Sequence, residues 1–237
     1  MDNSQSIKEK MLEVAQVLTD QGHIKGFGHV SVRISGTDRY LITGQKYTPA
    51  RTMMDLSCED IIVGSLDGSK VEGELTLPSE KFIHTCIYRS RDDVKAIVHS
   101  HPIYSMALSA VGKQVIPIST AALLFAPYVP IYEDSNLLNT EERGEKLVKL
   151  LGSGFAVVLK NHGTVTVGKN LEEAAGATLS LEDTAKVQLM ASLAGEPKGI
   201  LLSEIDEELS QAAKSGVGAR SIWFYYHALF QKANHRG

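Results

Sequence analysis

The sequence predicts an α/β fold: a mostly antiparallel central sheet with helices on both faces, an α-β-α sandwich. Three observations predict it. Stretches of alternating hydrophobicity and stretches of helical periodicity are interspersed along the whole chain rather than segregated. The turns at residues 35–38 and 160–163 are too short for helical crossovers, so the strands they join run antiparallel. No internal repeat, low-complexity tract or long linker divides the 237 residues, and the chain reads as one domain over 1–237.

Each element has its own signal. From Ser6 to about Gln21, Ile7, Met11, Val14, Ala15 and Leu18 recur at helical spacing. Glycines end that helix. Val30, Val32 and Ile34 then alternate with His29, Ser31 and Arg33, which predicts a half-buried strand with His29 facing outward. Strands follow at Tyr40–Thr43 and Asp60–Val63, the latter closed by a Leu66-Asp67-Gly68 turn. Ser79 to Arg89 reads as a helix capped by Ser79, with Ile83, Cys86 and Ile87 inward and Glu80 and His84 sharing one face. Lys95–Ser100 is a buried strand, and Pro102 opens a helix to about Val111. Val115–Ile118 and Tyr128–Ile131 read as strands, Glu141–Leu151 as a helix, and Phe155–Leu159 and Thr164–Val167 as strands. Asn170 with Glu173 starts a helix running to about Leu193; Ser203 with Asp206 repeats the capping signal, and a last helix covers about Ala219–Lys232.

Composition excludes several functions. Apolar residues make up 43% and charged residues 22%, the balance of a globular protein. The net charge of −4 offers no footprint for nucleic acid and suits an anionic membrane surface poorly. The longest uncharged stretch, Gln114–Tyr132, holds Pro117, Pro127 and Pro130 and reads as buried strand and loop rather than a membrane span. Cys58 and Cys86 are too few for a disulfide framework, and MDNSQSIKEK has no apolar core of a signal peptide, so the expected location is cytoplasmic.

The chemistry concentrates in Val98-His99-Ser100-His101-Pro102. Histidines at i and i+2 of a strand project from one face and can take adjacent corners of a metal site. An isolated pair of this kind reads as two exposed histidines on a turn. His162, beside Gly163 in a turn between strands, and Glu80, at a helix start, add two more ligand types, and three histidines with one carboxylate match a divalent-metal site. Gly163 is read as a glycine needed for its backbone freedom. His84 reads as a structural hydrogen-bonding residue and His235 as tail.

Glu80, His99-x-His101 and His162, in that order and spacing, resemble the signature of the class II aldolase/adducin family. Gly28-His29-Val30-Ser31-Val32-Arg33 resembles its Gly-Asn-x-Ser-x-Arg strand, and Thr43-Gly44 its Thr-Gly turn. The resemblance covers about residues 8–195. It implies a class II aldolase-like fold and one divalent metal ion per subunit, zinc or manganese with cobalt or iron as alternatives, held by His99, His101 and His162. It implies Glu80 as a catalytic acid/base that also ligates the metal before substrate arrives. It implies homotetramers with sites between subunits and a small anionic substrate.

The departures are informative. Where the family's sugar-phosphate enzymes place Asn and a first Ser to hold phosphate, this chain has His29 and Pro78, leaving Thr43, Gly44 and Ser79. Proline has no donor for a phosphate oxygen. The segment 118–122 also lacks the aldolase tyrosine. The Phe27–Arg33 strand and the segment from Arg220 through Trp223, Tyr225 and Tyr226 resemble instead a decarboxylase branch acting on aromatic or unsaturated hydroxy-carboxylates. The expected reaction is therefore decarboxylation through a metal-stabilised enolate, with His29 or Arg220 pairing a substrate carboxylate and Tyr226 reaching a neighbouring subunit's site. The helical spacing of Ile222, Tyr226, Leu229 and Phe230 also suits plain packing. The alternatives are a sugar-phosphate aldolase, a non-catalytic adducin-like binding module and a non-haem iron oxygenase.

Overall fold

Eight strands form one sheet in the order β4-β3-β2-β1-β5-β8-β7-β6. They are β1 (His29–Arg33), β2 (Arg39–Thr43), β3 (Ile61–Ser65), β4 (Lys70–Glu72), β5 (Ala96–Ser100), β6 (Ile131–Tyr132), β7 (Ala156–Leu159) and β8 (Gly163–Gly168). The computed structural model describes residues 3–44 and 52–234; His235 lies outside them. Every pairing is antiparallel except β6 with β7. That parallel pair is joined through helix α4 (Glu141–Leu151), the crossover such a pair requires.

Alternation along the strands divides the core into layers. On one face, α1 (Asn3–Asp20), α5 (Leu171–Ser192) and α7 (Val217–Asn234) pack Met11, Leu18, Leu179, Trp223 and Phe230 against Val30, Leu41, Ala96 and Val98. On the other, α2 (Lys81–Ser90) and α4 pack Ile83, Ile87, Tyr88 and Leu147 against Tyr40, Ile42, Ile97 and Val165. A third cluster joins Leu108 of α3 (Ile103–Ala110) to Leu181 and Ala185 of α5, and to Ala156 and Val158. This is the α-β-α sandwich with a mostly antiparallel sheet. Among the described residues no helix is long and apolar enough to cross a membrane.

The differences from expectation are local. β4 carries no sequence signal because its three residues are exposed and charged at both ends, which suits an edge strand. Val115–Ile118 is not a strand: Val115 makes only an isolated bridge to Val129, and a short 3₁₀ stretch, Thr120–Phe125, follows. The strand expected at Tyr128–Ile131 shifts to Ile131–Tyr132. α6 (Glu207–Lys214) is capped by Asp206, whose side chain accepts from the Leu209 N–H, not by Ser203. Pro102 stands just before α3 rather than within it. The buried Glu182 of α5 supplies that helix start, accepting from the N–H groups of Tyr104 and Ser105 at 2.7 and 2.9 Å.

Candidate metal centre

Four segments converge at one end of the sheet. β5 delivers His99 from its last turn of pleat and His101 just beyond it. β8 lies beside β5, and the β7–β8 turn carries His162. α2 begins at Lys81, so Glu80 occupies its cap position; the expected cap Ser79 is one residue outside. The Glu80 side chain makes no cap bond and instead reaches the histidines.

Close backbone approach sets this geometry. A Cβ on Gly163 would stand 2.2 Å from the Ser100 carbonyl oxygen, so only glycine lets β8 close on the residue between the two histidines. This corrects the sequence reading: Gly163 is needed for space, and the left-handed residue of the turn is Asn161, at φ 56°. On the other side Gly28, at φ +116°, lies where a Cβ would meet the His99 carbonyl at 2.8 Å.

The donor atoms are oriented. His99 Nδ1 donates to the Thr164 carbonyl at 3.0 Å and His101 Nδ1 donates to the Phe27 carbonyl at 3.1 Å, which turns both Nε2 lone pairs inward. His99 Nε2 is buried and has no hydrogen-bond partner. Glu80 Oε2 stands 3.4 Å from His99 Nε2 and 3.5 Å from His162 Nε2. Ligands around a tetrahedral ion at 2.0–2.1 Å stand roughly 3.3 Å apart. Donor atoms of His99, His101 and His162 lie within 4.8 Å of one another, as do those of His29, Glu80 and His99. A buried lone pair without a partner, inside such a cluster, fits a divalent cation.

Charge follows the same logic. Burial alone would push the Glu80 carboxyl up, but the imidazoles of His162 and His99 beside it hold it well below the usual range. Burial, with neighbouring His99 and His162, holds His101 down to about 3, so its imidazole is neutral and available as a ligand. Leu138 N–H donates to Glu80 Oε1 at 2.9 Å, fixing the carboxylate and leaving Oε2 for the histidines.

Residues 9–189 match the family described as Class II Aldolase and Adducin N-terminal domain. The chain belongs to the class II aldolase and adducin family. It is 33% identical over 166 residues to the decarboxylase NovR of Streptomyces niveus, covering 69% of this chain but only 60% of NovR. It is 32% identical over 188 residues to the L-fuculose phosphate aldolase of Methanocaldococcus jannaschii, covering 77% of this chain and 96% of that enzyme. A solved L-fuculose 1-phosphate aldolase superposes with a TM-score of 0.80 at 26% identity, over 88% of this chain and 96% of that one.

In this class II aldolase family member, a cavity of about 360 Å³ opens onto the cluster, lined by Phe27, Gly28, His29, Ser79, Glu80, His101, Leu137 and His162. His29 is not outward-facing: it is 2% exposed, because the polar face of β1 is covered by α2. His84, read as structural, bonds His29 and Ser31 at 2.7 and 2.6 Å. The remaining expected substrate contacts scatter. Thr43 Oγ1 is taken by the Val30 N–H at 3.1 Å, and Gly44 is packed against Leu75 and Asp60; neither lines the cavity. Arg220 pairs with the buried Glu173 at 3.0 Å and Tyr226 bonds Asp183 at 2.9 Å, both on the α5–α7 side, and within this chain neither reaches the histidines. Sequence reasoning missed the apolar walls Phe27 and Leu137 and the Leu138 N–H. Phe27, flanked by glycines beside His29, was the one legible signal among them.

Proposed function

We propose that the protein is a divalent-metal-dependent carbon–carbon lyase that decarboxylates an aromatic or unsaturated hydroxy- or oxo-carboxylate. One observation carries the reading. Among the described residues lining the cavity none is Lys or Arg, while Phe27 and Leu137 flank it with 59% and 47% of their surface exposed. A sugar phosphate dianion calls for cationic or dense N–H recognition; a planar, half-apolar carboxylate suits these walls.

His99, His101 and His162, with Glu80, would hold the ion. Zinc and manganese suit these donors, as do cobalt and iron. When bound, the metal supplies a Lewis acid for the negative charge that carbon–carbon cleavage leaves. The chain's own residues do the rest. Glu80, ionised at rest, would take a proton from the substrate hydroxyl and hand it to the carbon that the carboxylate leaves, its other oxygen steadied by Leu138 N–H. His29 stands at the cavity wall to meet a substrate oxygen. Phe27 and Leu137 give the planar face of the substrate apolar surface to lie against. Assembly as a homotetramer belongs to the same reading; Phe224, Tyr225 and Leu229 of α7 are exposed and available for it.

The second reading, a sugar-phosphate aldolase, draws on the match spanning 96% of the archaeal aldolase. Zinc- or manganese-loaded protein incubated with hydroxy-aromatic and oxo-carboxylates is expected to release CO₂. Aldehyde release from a ketose phosphate, with no CO₂ from any carboxylate, would overturn the decarboxylase in favour of the aldolase.

A further inference from the structure

A buried file of hydrogen bonds runs from the cavity wall into the core. His29 Nδ1 meets His84 Nε2 at 2.7 Å, His84 Nδ1 meets Ser31 Oγ at 2.6 Å, and Ser31 Oγ meets the Tyr88 hydroxyl at 2.7 Å. Ser31, His84 and Tyr88 are wholly buried and His29 nearly so. Each link taken alone could point either way. The far end removes that freedom.

The Tyr88 hydroxyl has no partner but Ser31 among the described residues. Were Ser31 to donate to Tyr88, the phenol proton would be left in the core with no acceptor, a defect native interiors rarely carry. Tyr88 therefore donates to Ser31. Ser31 then donates to His84 Nδ1, and a neutral His84 has its one proton on Nε2, which donates to His29 Nδ1. With His84 Nδ1 and His29 Nδ1 both accepting, each ring keeps its single proton on Nε2 and is neutral.

We propose that His29 presents a protonated Nε2 to the substrate as a neutral hydrogen-bond donor, and that Tyr88, Ser31 and His84 are positioning residues that fix this tautomer. The substrate group it takes is an oxygen of the carboxylate or of the neighbouring hydroxyl or carbonyl. The assignment also separates two overlapping ligand sets. His29, Glu80 and His99 are close enough to hold an ion, but a protonated nitrogen cannot ligate. His99 and His101 give their Nδ1 protons to carbonyls and keep bare Nε2 atoms. The backbone thus makes His99 and His101 into ligands, and the buried file of hydroxyls and His84 makes His29 into a donor.

The role as a substrate contact rests on the carboxylate-lyase reading; the tautomer does not. The test is nitrogen NMR of zinc-loaded protein labelled in histidine with ¹⁵N, with His29→Asn and His84→Asn to assign signals. His29 and His84 are expected to carry protons on Nε2. A proton on His29 Nδ1 overturns the proposal. Ser31→Ala removes the hydroxyl that donates to His84 Nδ1, so His29 should become a mixture of tautomers, and KM for the carboxylate should rise about three- to tenfold with kcat within about twofold, the scale of one hydrogen bond. An unchanged tautomer and KM in that variant overturn the role of Ser31 and of the file behind it. The expected tautomer in a protein that releases no CO₂ from any carboxylate would sink the decarboxylase and leave the tautomer standing.

Discussion

Glu80 answers two partners with its two oxygens, Leu138 N–H on one and the His99–His162 pair on the other. A glutamine at this position keeps the shape and loses the ability to take a proton. Glu80→Gln should therefore stay folded while turnover falls by about 10²–10⁴, the usual weight of a positioned acid/base; steady-state rates beside circular dichroism check this. His99→Ala should lose both bound metal and activity, and turnover by such a metal-free variant would remove the cluster from the mechanism. The His99–His101 pair is legible from local sequence because strand alternation is local. His162 and Glu80 join that pair through their ligand types and the resemblance, since nothing local says that a turn and a helix start will meet that strand. Arg220 and Tyr226 stand apart from this chain's own cluster: a likeness in the tail says nothing about which partner a long side chain finds, and within this chain those partners are Glu173 and Asp183.

Between residues and the whole fold, strand closeness decides the site. Gly163 opens β8 where no Cβ fits beside Ser100. Gly163→Ala must push β8 from β5 and should cost about 1–3 kcal/mol, the range for overpacking. It should also weaken zinc binding, because His162 is the next residue. Thermal midpoints and zinc titration read both effects; an unchanged midpoint with unchanged affinity would refute the close-contact argument. The long strands and helices were legible because their periodicity is strong. β4 and β6 were missed or shifted because two or three residues carry no period, and the Val115 segment because a lone bridge imposes none. The two edges of the sheet are thus its shortest strands, which limits edge-to-edge pairing with other chains.

At the scale of the molecule, buried neutral imidazoles tie stability to pH. Burial, with help from Lys25, lowers His23 to about 4, and burial lowers His84 to about 3. Unfolded, both titrate near 6.5. Above 6.5 neither state is protonated and the groups contribute no pH dependence. As pH falls below 6.5 the unfolded chain takes up protons that the native chain refuses, so stability drops until about pH 4 for His23 and about pH 3 for His84. At pH 5 a fully buried imidazole of this kind costs about 2 kcal/mol. Urea midpoints of metal-free protein at pH 7.5 and 5 should show the loss, and equal midpoints would contradict it. The fold class itself was readable from two short turns and interspersed periodicities. The burial of the β1 polar face was not, because alternation says which residues share a side, not whether α2 covers it.

In the β1–β5 pairing His29 lies directly across from His99, and Val30 from Val98. A slip of one residue would exchange the two faces of β1. Val30 and Val32 would then face Glu80 and His84, while His29 and Ser31 would enter the apolar layer of Met11, Leu18 and Trp223. No half-slipped arrangement satisfies either side. The oily packing behind the sheet is thereby the alignment gauge for the histidines in front of it, and drift in one is checked by the other.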